Sequence, residues 1–163
     1  LTLFTVGWAI ARWRSAKPKS LLDNAPLAAL LAESIALERI PGLVQRGVLR
    51  AFAVTASSYT AGTHVTFYDD AGRRAPWARS QRVAVPGAIS VAHLLASSAI
   101  PFVFPAQRLA FDGDAHWFGD GSMRQTAPLS PAIHLGADRL LVIGAGRLQE
   151  PPGEKRPVGG YPS

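Results

Sequence analysis

The chain has 163 residues, 48% hydrophobic and 17% charged, which suits one folded domain with a real core and excludes a disordered polar chain. Seventeen Lys and Arg against eleven Asp and Glu give a formal charge of +6, which favours anionic partners without naming one. There is no cysteine, so disulfides, thiolate nucleophiles and cysteine zinc sites are excluded.

Leu1 opens the sequence and its one methionine is Met123, so the expectation is a fragment or a processed product. Residues 1–19 form a basic amphipathic segment, in which an apolar stretch with Phe4 and Trp8 is followed by Arg12, Arg14, Lys17 and Lys19. The stretch is too short to span a bilayer, and its charges follow the apolar part where a secretory signal would lead with them. A partly buried helix with a solvated basic end is the plainer expectation. The sharper one is a helix lying on an anionic membrane surface.

Asp23 or Asn24 followed by Pro26 signals a helix start, and Leu27, Leu30, Leu31 and Ile35 recur on one helical face, predicting a helix to about Leu37. Pro41 opens a second, short helix ending near Gly47. Ala51 to Asp69 reads as a β-hairpin around Thr60-Ala61-Gly62, its first strand central because apolar residues fall on both faces. Arg73 to Arg82 is predicted as a polar loop. Val91, Leu94, Leu95 and Ser98 line a helix stopped by Pro101. Arg108 to Phe111 and His116 to Phe118 are strands joined through Asp112-Gly113. A short helix follows Pro131 to about Leu135, Arg139 to Ile143 is an apolar run of buried-strand type, and residues 149–163 are a Pro/Gly-rich tail. The irregular alternation predicts an α/β domain with a mixed sheet.

Most site motifs fail. Gly144-Ala145-Gly146 follows an apolar run, but Gln149 stands where a third glycine is needed and no P-loop occurs. His64, His93, His116 and His134 share no metal-ligand spacing. No finger, RRM or related signature supports nucleic-acid binding. Ser57, Ser58, Ser97, Ser98 and Ser122 lack the G-x-S-x-G elbow that would free a nucleophilic hydroxyl. Asp112 is explained by its turn. Asp120 is different, because Gly119 and Gly121 on either side permit a tight backbone that projects one carboxylate from a strand end.

Trp117 to Pro128, WFGDGSMRQTAP, resembles the D-G-G/A box of patatin-like phospholipases, with Pro128 at the family's spacing from Asp120. Ser20 to Leu27 (SLLDNAPL), Ala96 to Ala106 (ASSAIPFVFPA) and the Ala51–Asp69 hairpin agree in the family's order. The resemblance covers roughly Ser20 to Gly144, leaving residues 20–148 as the C-terminal part of such a domain. It implies an incomplete three-layer α/β/α fold and a lipid acyl hydrolase using a Ser-Asp dyad without a cofactor or metal. Asp120 would be the base, and Asp120, Gly121 and Ser122 the motif. A glycine-rich loop would donate backbone N–H groups to the oxyanion, and an acyl-enzyme would be hydrolysed by water. Ser122 departs from the family's Gly or Ala, and Gln125 or Thr126 replaces a common asparagine. The elbow serine and glycine-rich loop, N-terminal in the family, are not in the chain, so it is expected to be inactive alone. The expected partners are an acyl-ester lipid and, peripherally, a membrane, with a cytoplasmic or membrane-peripheral location. The rival expectation is a non-catalytic lipid-binding or scaffold protein with a basic membrane- or nucleic-acid-binding surface.

Overall fold

In the computed structural model, residues 20–123 and 129–144 are described. The basic segment 1–19, Gln125, Thr126 and Pro128, the glycine run beyond Gly144, and the tail from 149 lie outside the described residues.

β-branched and small apolar residues from Phe52 to Ser58 form β1, and His64–Asp69 form β2. The two pair antiparallel around the expected turn, with Gly62 in the left-handed region at φ 65°. Ser58 steadies that turn, its Oγ accepting the Ala61 N–H at 3.1 Å. β1 is central as expected, with β2 on one side and β6 (Asp114–Asp120) on the other. β5 (Gln107–Phe111) pairs with β6 through a tight turn in which Asp112 and Gly113 have φ 54° and 84°, the left-handed pair that a two-residue hairpin demands.

The loop expected over Arg73 to Arg82 is corrected. Ala78–Arg79 form a short strand, β3, antiparallel to β4 at Arg82–Pro86, and β4 runs parallel to β2. The sheet order is therefore β3-β4-β2-β1-β6-β5, six strands of mixed direction. β4 carries an arginine and a proline at its ends and only one buried residue, so its local pattern is weak; long-range pairing with β2 makes it a strand.

The first helix, α1 (Ala25–Ser34), stops short of the predicted Leu37 because Ile35 is extended, and Leu37 is buried in a separate 3-10 turn, Leu37–Arg39. α2 (Ile40–Gln45) ends at Gly47, φ 73°. α3 (Val91–Ser98) stops before Pro101 as expected. α4 (Leu129–His134) begins two residues ahead of the expected start at Pro131, with the proline in its first turn, where no N–H is required.

Side chains alternate across a strand, so residue parity assigns each to a face. Ala56, Val65, Phe67, Leu109 and Phe118 form one core with Ala96 of α3. Tyr68 and Ala84, of opposite parity in their strands, form a second core with Leu135 at the end of α4. The sheet is thus covered on both faces.

The expected buried strand at Arg139–Ile143 is not formed. The segment has no strand neighbour among the described residues, and Leu141 and Ile143 are 89% and 90% exposed. A strand needs a partner for its backbone groups as well as an apolar pattern.

Candidate active site

Asp120 is the last residue of β6 and lies opposite Ala56 of β1. Its backbone N–H donates to the Ala99 carbonyl at 2.9 Å, tying the strand end to the chain leaving α3. The flanking glycines are required by close approach, and neither has a positive φ. A Cβ on Gly121 would collide with the Thr55 carbonyl, and one on Gly119 would collide with the Tyr59 ring and hydroxyl. At Gly121 the obstacle is fixed backbone, so a side chain there would push the strand end off the sheet, whereas one at Gly119 would displace the Tyr59 ring.

The carboxylate is held at both oxygens by one residue. Oδ1 accepts the Ser122 N–H at 2.8 Å, and Oδ2 accepts the Ser122 hydroxyl at 2.8 Å. Asp120 thereby closes the 3-10 turn Gly121–Met123. The hydroxyl expected near the site is a direct ligand of the carboxylate. Each oxygen retains a further lone pair to accept a proton from another group.

Tyr59 was not singled out by any sequence signal, because only the β1–β6 pairing brings it to the site. Its N–H donates to the Trp117 carbonyl at 2.8 Å, and its ring lies across Gly119. Burial first, and then the negative charge of Asp120, push its phenol above the usual tyrosine range, while a hydrogen bond with the Asp120 backbone acts in the other direction. Tyr59 therefore stays protonated at neutral pH.

Because β6 turns away after Asp120, only Ala56 to Ser58 of β1 are paired on that side. Phe52 to Thr55 leave an open strand edge among the described residues. A cavity of about 830 Å³ runs along this edge. Leu94, Ser97 and Ser98 of α3 line it on one side, Pro131, Ala132 and Leu135 on the other; Asp120 to Ser122 and Arg50 also border it.

The other sequence candidates are dispersed. The Ser98 hydroxyl donates to the Leu94 carbonyl at 3.0 Å, and Ser57 and Ser58 are buried in the sheet. Among the serines considered, Ser122 is hydrogen-bonded to Asp120 and Ser97 shares the cavity with it. His93 caps α3, His134 stacks on Trp77, and His116 contacts Ser58 and Phe111. No group of three or more His, Asp or Glu among the described residues is placed to hold a metal ion. No described helix is long and apolar enough to cross a membrane.

Comparison of the chain with protein-family models, curated proteins and solved structures found no match.

Proposed function

We propose that the chain is the C-terminal part of a patatin-like lipid acyl hydrolase, with Asp120 as the base of a Ser-Asp dyad whose serine lies on a segment outside this sequence. The observation that carries the reading is the carboxylate of Asp120, fixed at a strand end on the border of a large cavity. In the dyad a serine Oγ attacks the acyl carbonyl while its proton passes to the carboxylate. The proton then goes to the departing alcohol, and water repeats the sequence on the acyl-enzyme.

The cavity supports this reading, because it has the form of a missing strand: an unpaired edge on β1, a helix over each face, and Asp120 on its border. A nucleophile-bearing strand lying there would bring its elbow near Asp120. The unpaired apolar run at Leu140 to Ile143 would find its neighbour in the same added strand. Both features fit an incomplete three-layer fold.

A lipid substrate is supported by an exposed apolar patch on the chain that follows α3. Leu21 and Leu22 donate their N–H groups to Phe102 and Val103, both at 2.8 Å, just beyond the Ala99 carbonyl that receives the Asp120 N–H. Leu21 is 81% and Phe102 84% exposed, an apolar surface suited to an acyl-chain phase. The basic segment 1–19 would add attraction to anionic headgroups.

Two results test the reading. The upstream coding sequence should contain a G-x-S-x-G elbow and a glycine-rich loop; if it has neither, the non-catalytic lipid-binding reading takes its place. In the protein carrying that serine, Asp120→Asn should reduce ester hydrolysis about a hundredfold or more with the fold intact. Unchanged turnover removes Asp120 from the mechanism.

A further inference from the structure

Two arginine side chains converge on the glycine that ends α4. Gly136 has φ +86°, and a Cβ there would collide with Arg74 Nη2 and lie 3.0 Å from Arg50 Nη2 and 3.1 Å from Arg50 Nε. The two guanidinium groups therefore stand only a few ångströms apart. Their backbones are anchored: the Arg50 carbonyl accepts a bond from Arg73 Nη1 at 2.8 Å, and the Arg74 carbonyl accepts one from the Tyr68 hydroxyl at 3.2 Å. Arg73 is committed to this bracing, since its other terminal nitrogen donates to the Val44 carbonyl. The guanidinium groups of Arg50 and Arg74 have no carboxylate or hydrogen-bond acceptor among the described residues.

Like charges held together with unused planar donor forks repel each other, and a tetrahedral oxyanion both removes the repulsion and accepts from both forks. We propose that Arg50 and Arg74 form a binding site for a phosphate group.

Arg50 precedes Ala56, the residue opposite Asp120, by six positions, so at ~3.3 Å per residue their backbones lie at most roughly 20 Å apart. Arg50 and Asp120 both border the same cavity. The phosphate is that of a dissolved anion or of a lipid headgroup, and the site does not depend on Asp120 being catalytic.

The full chain is titrated calorimetrically with sodium phosphate at fixed ionic strength. In a second arm it is sedimented with phosphatidylcholine vesicles with and without phosphatidic acid. Arg50→Gln and Arg74→Gln should each weaken binding about tenfold, with circular dichroism unchanged. Arg50→Lys, which keeps the charge and loses the fork, should weaken it less. Arg79→Gln, which removes the same charge at the β3 edge, should leave it unaltered. Arginine-dependent binding of inorganic phosphate assigns the site to a dissolved ligand; such binding only to phosphatidic acid vesicles assigns it to a headgroup. No binding in either arm, or losses equal to those of Arg79→Gln, overturns the proposal.

Discussion

His93 shows how one side chain couples packing to pH. Its Nδ1 accepts the Ser90 N–H at 3.1 Å, closing a capping box at the start of α3, and its ring lies edge-on to Phe67 with centroids 4.6 Å apart. The acceptor role requires Nδ1 to be unprotonated, and burial lowers the imidazole pKa below its ordinary 6.5. With the folded pKa below the unfolded one, the unfolded chain binds the proton first. Stability contributed by His93 is complete above about pH 6.5 and is lost as pH falls from there toward the folded pKa. His93→Gln keeps an acceptor at this position and removes the titration, so its melting temperature should fall less steeply than that of the wild type between about pH 7 and pH 5. Parallel pH profiles would show that His93 does not carry the dependence. At Asp120 the sequence marked the residue and its glycines, yet the reason for those glycines is contact with Tyr59 and Thr55, residues sixty or more positions away.

Among the elements, the β5–β6 hairpin was legible because its turn is chemically specific. Asp112 and Gly113 both adopt left-handed backbone, which few residue pairs accept. Gly113→Ala should cost about 1 kcal/mol, read as a lower urea midpoint with an unchanged slope. A wild-type midpoint would mean that the turn tolerates a side chain. α3 was legible from its spacing and from Pro101. α1 was overextended, because periodicity marks a face without marking where the chain leaves it. β3 and β4 were missed, since a five-residue strand between Arg82 and Pro86 becomes a strand only by pairing with β2. Arg139 to Ile143 failed in the opposite way: its apolar pattern is strong, and its pairing partner is lacking among the described residues.

For the molecule as a whole, the two faces of the sheet set where substitutions matter. Phe118 is fully buried and meets both Phe67 and Phe111 edge-on, at 5.4 and 6.0 Å between centroids. Phe118→Ala should destabilise by about 3–5 kcal/mol, whereas Leu141→Asp, at a position already in solvent, should stay within about 0.5 kcal/mol in this chain. Denaturant unfolding distinguishes them, and a large loss at Leu141 would mean that the segment is packed after all. The amino-acid sequence was sufficient for the α/β class, the central place of β1, the hairpin turns and the glycine-flanked strand end at Asp120, because each is written in neighbouring residues as a period, a turn pair or a glycine bracket. Tertiary structure alone decided the strand order, the open edge beside Asp120, the placement of Tyr59 over Gly119 and the meeting of Arg50 with Arg74. Those depend on which distant segments pair and which do not, a balance of burial and backbone hydrogen bonding that no local pattern contains.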